Sequence, residues 1–232
     1  MTLTDPGPLG EPTADEKALM EALFACVQSS PSRGVDASAL ALRALLADRP
    51  ALDPALMAAL WRRIEVARAP AALIVSGQAA LRQLGASGHD HPTLVDDPDR
   101  ALAQCTALSR ALIALDGRAW WSRLLARRDL RVIGAFPECG YRRPEALMIG
   151  AAQTGPTGED RTFWVTEADQ SDGEILAALA AAGLSGQRID EGAGLKLFAL
   201  AGYVEAHDMR LHSAPLYRAN RLSGVIGAAP RF

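Results

Sequence analysis

The sequence is poor in residues that mark metal sites, disulfide frameworks and membrane spans. Its 232 residues include three cysteines and four histidines. Cys26, Cys105 and Cys139 are odd in number and far apart, which argues against a disulfide framework and a cysteine-based zinc site. No apolar run reaches the length of a membrane-spanning helix. We therefore expect reduced thiols, no metal, no cofactor and no membrane partner.

The chain also lacks a surplus of basic residues. Lysine and arginine total 24 against 27 aspartates and glutamates, so the formal net charge is −3. Nucleic-acid-binding proteins usually carry a clustered basic surface, whereas the basic residues here are scattered, so we expect no nucleic-acid partner. The first residues lack the basic and apolar segments of a signal peptide, which predicts a cytoplasmic location.

Apolar residues are plentiful, at 49% of the chain, so the length suffices for one large domain or two to three small ones. Residues 1–12 contain three prolines and two glycines, which predicts a disordered leader. Residues 13–70 show helical signals alone, among them Asp53 followed by Pro54 at a first helical position. This predicts an all-α helical block of three helices.

Strand and helix patterns alternate over residues 71–153. Residues 72–75, 130–136 and 146–151 have the composition of strands, and the pattern at 98–115 predicts one long amphipathic helix. Alternation of this kind favours a small parallel or mixed α/β layer.

The last third of the chain, at 159–232, has the order βαββαβ. A strand at 161–167 precedes a helix at 174–182, which Gly183 ends. Three further strands and a polar helix-like piece follow. Two helices on one face of a four-stranded sheet form a ferredoxin-like unit. The predicted fold class is therefore α+β in three modules.

Two passages of this unit resemble the ACT domain that ends bacterial prephenate dehydratases. They read Gly-Tyr-Val-Glu-Ala-His-Asp-Met-Arg-Leu at 202–211 and Val-Ile-Gly-Ala-Ala-Pro-Arg-Phe at 225–232. Residues 42–64 are similar to the second and third helices of an AroQ-type chorismate mutase. Residues 71–153 resemble one reduced lobe of a prephenate dehydratase domain. The resemblance implies a place in aromatic amino-acid biosynthesis and a homodimer, because both kinds of module usually pair.

A chorismate mutase pocket binds a dianion, so the family lines it with basic residues and one Glu or Gln. The residues of suitable type are Arg33, Arg43, Arg62, Arg63 and Glu65, and the candidates among them are Arg43, Arg62 and Glu65. In the alternative interpretation, Arg62, Arg63, Glu65 and Arg68 form a solvated helix face with ion pairs at helical spacing. Both interpretations are open at this point.

The resemblance also implies what has been lost. The family's dehydratase uses a Thr-Arg-Phe motif, and the corresponding residues here are Pro144-Glu-Ala146. We therefore expect no dehydratase activity. The predicted function is a catalytically degraded relative that acts as a regulatory or scaffolding dimer. The alternative is an active chorismate mutase that converts chorismate to prephenate with non-standard pocket residues.

An ACT-like unit implies a ligand at the turn between its first strand and helix. The matching positions are Asp172, Gly173 and Asp190, and a glycine beside a helix N-terminus lets backbone N–H groups approach a carboxylate. The ligand implied is an aromatic amino acid, or else chorismate or prephenate. Glu174 places a like charge at this turn. The alternative is a pair of ordinary turns in a domain that only dimerises.

Overall fold

A computed structural model describes most of the chain and shows a mixed α+β fold. The described ranges are 13–29, 34–47, 53–68, 72–85, 91–138, 142–152, 154–167, 170–213 and 222–232. No helix in these ranges is long and apolar enough to cross a membrane. The predicted leader at 1–12 and Cys139 lie outside the described residues.

Helices and strands follow one another along the chain. The helices are α1 (Ala14–Ser29), α2 (Val35–Leu46), α3 (Pro54–Arg68), α4 (Gln78–Gly85), α5 (Pro98–Gln104), a 3-10 helix (Ala119–Leu125), α6 (Asp172–Ala181) and α7 (Met209–Ser213). The strands are β1 (Ala72–Ser76), β2 (Thr93–Leu94), β3 (Ser109–Ala114), β4 (Arg131–Phe136), β5 (Ala146–Gly150), β6 (Asp160–Glu167), β7 (Gly186–Gly192), β8 (Leu195–Ala201) and β9 (Ser223–Pro230).

The nine strands found in the described ranges form one sheet in the order β2-β1-β3-β5-β4-β9-β6-β8-β7. Strand β1 is parallel to β2 and β3, while β5 is antiparallel to β3 and β4. Strand β9 is parallel to β4, with Val132 opposite Gly227, and antiparallel to β6. The last strand of the chain therefore joins the first five strands to the three that precede it.

Residues 98–115 do not form the single long helix that their pattern predicts. Helix α5 ends at Gln104, and β3 begins at Ser109. All six residues of β3 are buried, and the strand pairs with β1 on one side and β5 on the other. A continuous apolar run fits a buried central strand as well as a helix, and only the neighbouring strands distinguish the two.

The sheet buries a different core on each face. On one face, α5 and the 3-10 helix cover residues such as Val132 and Phe163. On the other face, α1–α4 cover Ile133 and Met148, and α6 and α7 cover Trp164. The alternation of Val132 and Ile133 follows the two-residue period of a strand. Strands β4 and β9 lie between these two groups of helices.

Candidate functional site

Arg43 of α2 is bound to the last residues of β9 and to the segment before β6. Its Nη2 donates to the backbone oxygens of Glu159 and Arg231, both at 2.7 Å. The guanidinium carbon lies 4.8 Å from the centre of the Phe232 ring, a cation–π arrangement. Burial lowers the pKa of Arg43 below its usual value, and Asp160 and Glu159 partly offset this. Arg43 therefore holds two parts of the chain together.

Arg62 of α3 is paired with Glu138, which follows β4. Its Nε lies 2.7 Å from Oε1 of Glu138, and its Nη2 donates to Oε2 of Glu138 and to Oε1 of Gln83, both at 3.0 Å. The side chains of Arg62 and Glu138 are 14% and 2% exposed. This bidentate contact uses the Nε–Nη2 edge of the guanidinium, one of the edges through which an arginine binds a substrate carboxylate.

Glu65, one turn later on α3, is paired with Arg110 of β3. Nη1 of Arg110 lies 2.9 Å from Oε2 of Glu65, and each side chain is 10% exposed. The solvated helix face that the sequence suggested is therefore wrong for Arg62 and Glu65, because both side chains point into the interface with the sheet. Arg63 is more exposed and pairs with Glu21 of α1, while the side chain of Arg68 is outside the described part of the chain.

The structure thus engages all three predicted catalytic residues with partners in the same chain. Phe232 connects the surroundings of Arg43 and Arg62. Its ring lies beneath the Arg43 guanidinium and is centred 4.6 Å from the ring of Trp61. Its N–H donates to the backbone oxygen of Glu138, the partner of Arg62. Glu65 contacts β3 instead. The sequence carries no sign of the partners Glu138 and Arg110. Glu138 is 76 residues from Arg62 and Arg110 is 45 residues from Glu65, and no local pattern marks a contact over such a separation.

Asp172 and Gly173 form the first turn of α6, as predicted, but Asp172 is already ion-paired. It contacts Arg188 of β7 and lies 3.2 Å from Nζ of Lys196. Burial alone would raise the pKa of Asp172, but hydrogen bonds from Lys196 and Arg188 outweigh this and lower the pKa. A Cβ atom on Gly173 would meet no atom within 4 Å.

Glu174 folds back onto the helix cap instead of pointing at a ligand. Its Oε2 accepts hydrogen bonds of 2.8 Å from the backbone N–H and the hydroxyl of Ser171, and the Glu174 N–H donates to the Ser171 hydroxyl. This capping box satisfies donors at the helix N-terminus. Hydrogen bonds from Ser171 lower the pKa of Glu174.

Asp190 lies on the opposite face of the sheet from Asp172. A β-bulge between Arg188 and Asp190 shifts the register of β7 against β8. Arg188 is therefore paired with Phe198 of β8, whose side chain is on the α6 face of the sheet. Asp190 is paired with Leu197, whose side chain is on the face that the 3-10 helix covers. There Oδ2 of Asp190 accepts a 2.9 Å hydrogen bond from Nε1 of Trp121. The predicted ligand site stays a prediction, with its acids on two faces.

A cavity that the sequence analysis did not predict lies over β4 and β9, and we call it the β4–β9 cavity. Its volume is about 150 Å³. Its wall contains Arg131, Thr154, the segment 203–206, Val225 and residues 227–228. Strand β9 has a bulge here, since Gly227 lies opposite Phe163 and Val225 lies opposite Trp164. The Gly-Tyr-Val-Glu passage at 202–205 supplied a family resemblance but no signal of a cavity.

Gly227 allows the two strands beneath this cavity to approach each other. Its φ is +145°, and a Cβ atom would lie 2.3 Å from the Val132 oxygen and 2.5 Å from the Val132 nitrogen. A side chain at this position would therefore separate β9 from β4.

Among the described residues, no group of three or more metal-binding side chains is assembled.

Comparisons with known proteins give a weak structural likeness. No family model matches the chain, and no curated protein sequence matches it significantly. Three solved structures show what the chain is similar to. GqqA, described as a novel type of quorum-quenching acylase, is 14% identical, with a TM-score of 0.44, and the match covers 70% of this chain and 96% of that one.

The other two structures are prephenate dehydratases. The enzyme from Arthrobacter aurescens in complex with L-Phe is 15% identical with a TM-score of 0.43, covering 69% of this chain and 90% of that one. The enzyme from Streptococcus mutans is 13% identical with a TM-score of 0.36, covering 69% of this chain and all 100% of that one. Similarity at this level establishes neither a family nor an activity for this chain.

Proposed function

We propose that this chain is a catalytically degraded relative of the bacterial chorismate mutase/prephenate dehydratase family, acting as a regulatory or scaffolding dimer in aromatic amino-acid biosynthesis. One observation carries the proposal. Arg43, Arg62 and Glu65 are hydrogen-bonded to other parts of the same chain. A mutase pocket needs basic side chains whose donors are directed at the substrate and at the charge that develops in the transition state.

The remnant of the dehydratase motif supports the same proposal. Pro144 is buried, Glu145 lies 3.4 Å from Arg82 across an exposed pair, and Ala146 is the first residue of β5. None of these three side chains carries the hydroxyl or the guanidinium that the family's motif supplies.

The link to the family rests on the passages at 202–211 and 225–232. The strand order β9-β6-β8-β7, with α6 and α7 on one face, is compatible with a ferredoxin-like unit and supports the ACT-like interpretation. Strand β7 is one of the two edge strands of the sheet, as described. An edge of this kind is a ready template for pairing with a second strand, which supports a dimer.

The first experiment follows the loss of chorismate absorbance and the appearance of prephenate after purified protein is added. We expect no rate above the uncatalysed background. Arg43→Lys and Arg62→Lys are prepared in parallel, because each keeps the charge but loses the bidentate geometry. A wild-type rate above background that both substitutions abolish would establish the mutase alternative instead.

Light scattering after size-exclusion chromatography tests the assembly. We expect a dimer at micromolar concentration. A monomer under those conditions would contradict the proposed dimer, whatever the result of the mutase assay.

A further inference from the structure

We propose that the β4–β9 cavity is a binding site for a small zwitterion, an α-amino acid with a short aliphatic side chain. None of the residues that line it belongs to the α6 turn or forms a hydrogen bond with Arg43 or Arg62. It therefore goes beyond the proposed function, and binding there does not depend on whether the chain catalyses a reaction.

The basic side chain in the wall of the cavity is that of Arg131, the first residue of β4. Its Nη1 donates to the backbone oxygens of Arg127 and Leu130, at 3.0 Å and 2.9 Å. These two bonds orient the half-buried guanidinium without occupying its other donors. Within the described ranges, Nε and Nη2 have no hydrogen-bond partner. An arginine held in this way presents two parallel N–H groups, the arrangement that binds a carboxylate in bidentate fashion.

The acidic side chain in the wall is that of Glu205, which lies two residues after Tyr203 in the segment between β8 and α7. The Glu205 side chain is exposed and makes no hydrogen bond or ion pair with any described residue. Burial raises the pKa of Tyr203, and Glu205, Asp160 and Asp36 raise it further. The phenol is therefore uncharged at neutral pH and can donate or accept a hydrogen bond. A carboxylate and a phenol oxygen form suitable acceptors for an ammonium group.

The size and the wall of the cavity limit the rest of the ligand. An apolar cavity of about 150 Å³ holds a molecule as large as benzene, and drug-sized ligands occupy about 300 Å³ or more. Ala206, Val225 and Ala228 supply apolar surface in the same wall as the two charged side chains. A short aliphatic side chain fits these limits.

The two charged side chains of the cavity also differ from those of the α6 turn, where the sequence predicts a ligand. There Asp172 already contacts Arg188 and Lys196, and Glu174 occupies the helix cap. At the β4–β9 cavity, one basic and one acidic side chain share a wall without neutralising each other in an ion pair. A ligand with both charges would contact each of them.

Calorimetric titration with three matched probes tests the inference. Leucine carries both charges, isocaproate lacks the ammonium group and isopentylamine lacks the carboxylate, while all three share one hydrocarbon chain. We expect leucine to bind, and each one-charge analogue to bind about tenfold more weakly or worse, the factor for one lost charge-assisted hydrogen bond. A failure of leucine to bind at millimolar concentration would overturn the inference.

Variants assign the two charges to their side chains. Glu205→Gln should weaken leucine about tenfold but leave isocaproate unchanged, and Arg131→Met should weaken leucine and isocaproate alike. Glu167→Gln, a substitution of an exposed acid outside the cavity, is the control and should change neither. Should Arg131→Met fail to fold, Glu205→Gln with the two leucine analogues still decides. Equal affinity of wild type and Glu205→Gln for leucine would contradict the assignment.

Discussion

Nε of Arg62 lies 2.7 Å from Oε1 of Glu138, and the glutamate side chain is 2% exposed. The pair joins α3 to the segment after β4, and the backbone oxygen of Glu138 also accepts a hydrogen bond from Phe232. Three parts of the chain that are distant in sequence meet at this point. Arg62 therefore has a structural partner in Glu138, whose carboxylate occupies the Nε–Nη2 edge of its guanidinium.

Removal of one member of this pair should destabilise the fold strongly. Arg62→Met leaves the buried Glu138 carboxylate without a counter-charge, and we expect a loss of about 3–5 kcal/mol in the free energy of unfolding. Urea denaturation measures it. The control is Arg82→Met, which breaks an exposed pair with Glu145 and should cost less than about 1 kcal/mol.

The double variant completes the cycle. Arg62→Met with Glu138→Leu removes both charges, and we expect it to recover most of the loss, because the cost arises from an unpaired buried charge. Equal stability of the Arg62→Met and Arg82→Met variants would show that the buried pair contributes no more than the exposed one.

The contact between β4 and β9 should depend on the absence of a side chain at Gly227. Gly227→Ala places a Cβ 2.3 Å from the Val132 oxygen, at a φ of +145°. We expect a loss of at least about 3 kcal/mol, from the clash and the strained backbone together. Thermal unfolding provides the measurement. Gly173→Ala is the matched control, since that position has open space, and it should be neutral or stabilising by up to about 1 kcal/mol.

Asp190 should act through Trp121. Asp190→Ala leaves the buried indole N–H without its acceptor and should cost about 1–3 kcal/mol, whereas Asp190→Asn keeps an acceptor and should cost less. The emission of the tryptophans should change for Asp190→Ala and not for Glu191→Ala, an exposed neighbour on the same strand. An unchanged stability of Asp190→Ala would show that water replaces the carboxylate.

Asp129 should contribute to the pH dependence of stability. Two hydrogen bonds from Arg127 lower the pKa of Asp129 from 3.8 to about 2. Since the folded state has the lower pKa, the contribution is complete above 3.8 and is lost as the pH falls towards 2.

Urea unfolding at about pH 5 and about pH 3 tests this expectation. Asp129→Asn should lose less stability between the two than the wild type does, and added salt should reduce the difference, since the pair is exposed. Asp96→Asn, an exposed aspartate without a basic partner in the described part of the chain, should behave as the wild type. Parallel pH profiles for Asp129→Asn and the wild type would contradict the assignment.

Local sequence patterns sufficed for the elements whose start and end signals lie within a few residues. Asp53 and Pro54 mark the start of α3, and Gly183 follows the end of α6. The alternation of strands and helices likewise predicts a mixed α+β chain. The signals at the helix ends work through backbone geometry and hydrogen bonds inside one turn, so the sequence by itself determines them.

Only the tertiary structure decided which of these elements share a core and which charged side chains are paired within the chain. Residues 109–114 are a strand because β1 and β5 flank them. Arg62 is buried because Glu138 lies opposite it, and Asp190 faces Trp121 because of a bulge in β7. Arg131 and Glu205 share a cavity because β9 joins two halves of the sheet. Each of these facts depends on contacts between positions far apart in the chain, which no local periodicity encodes.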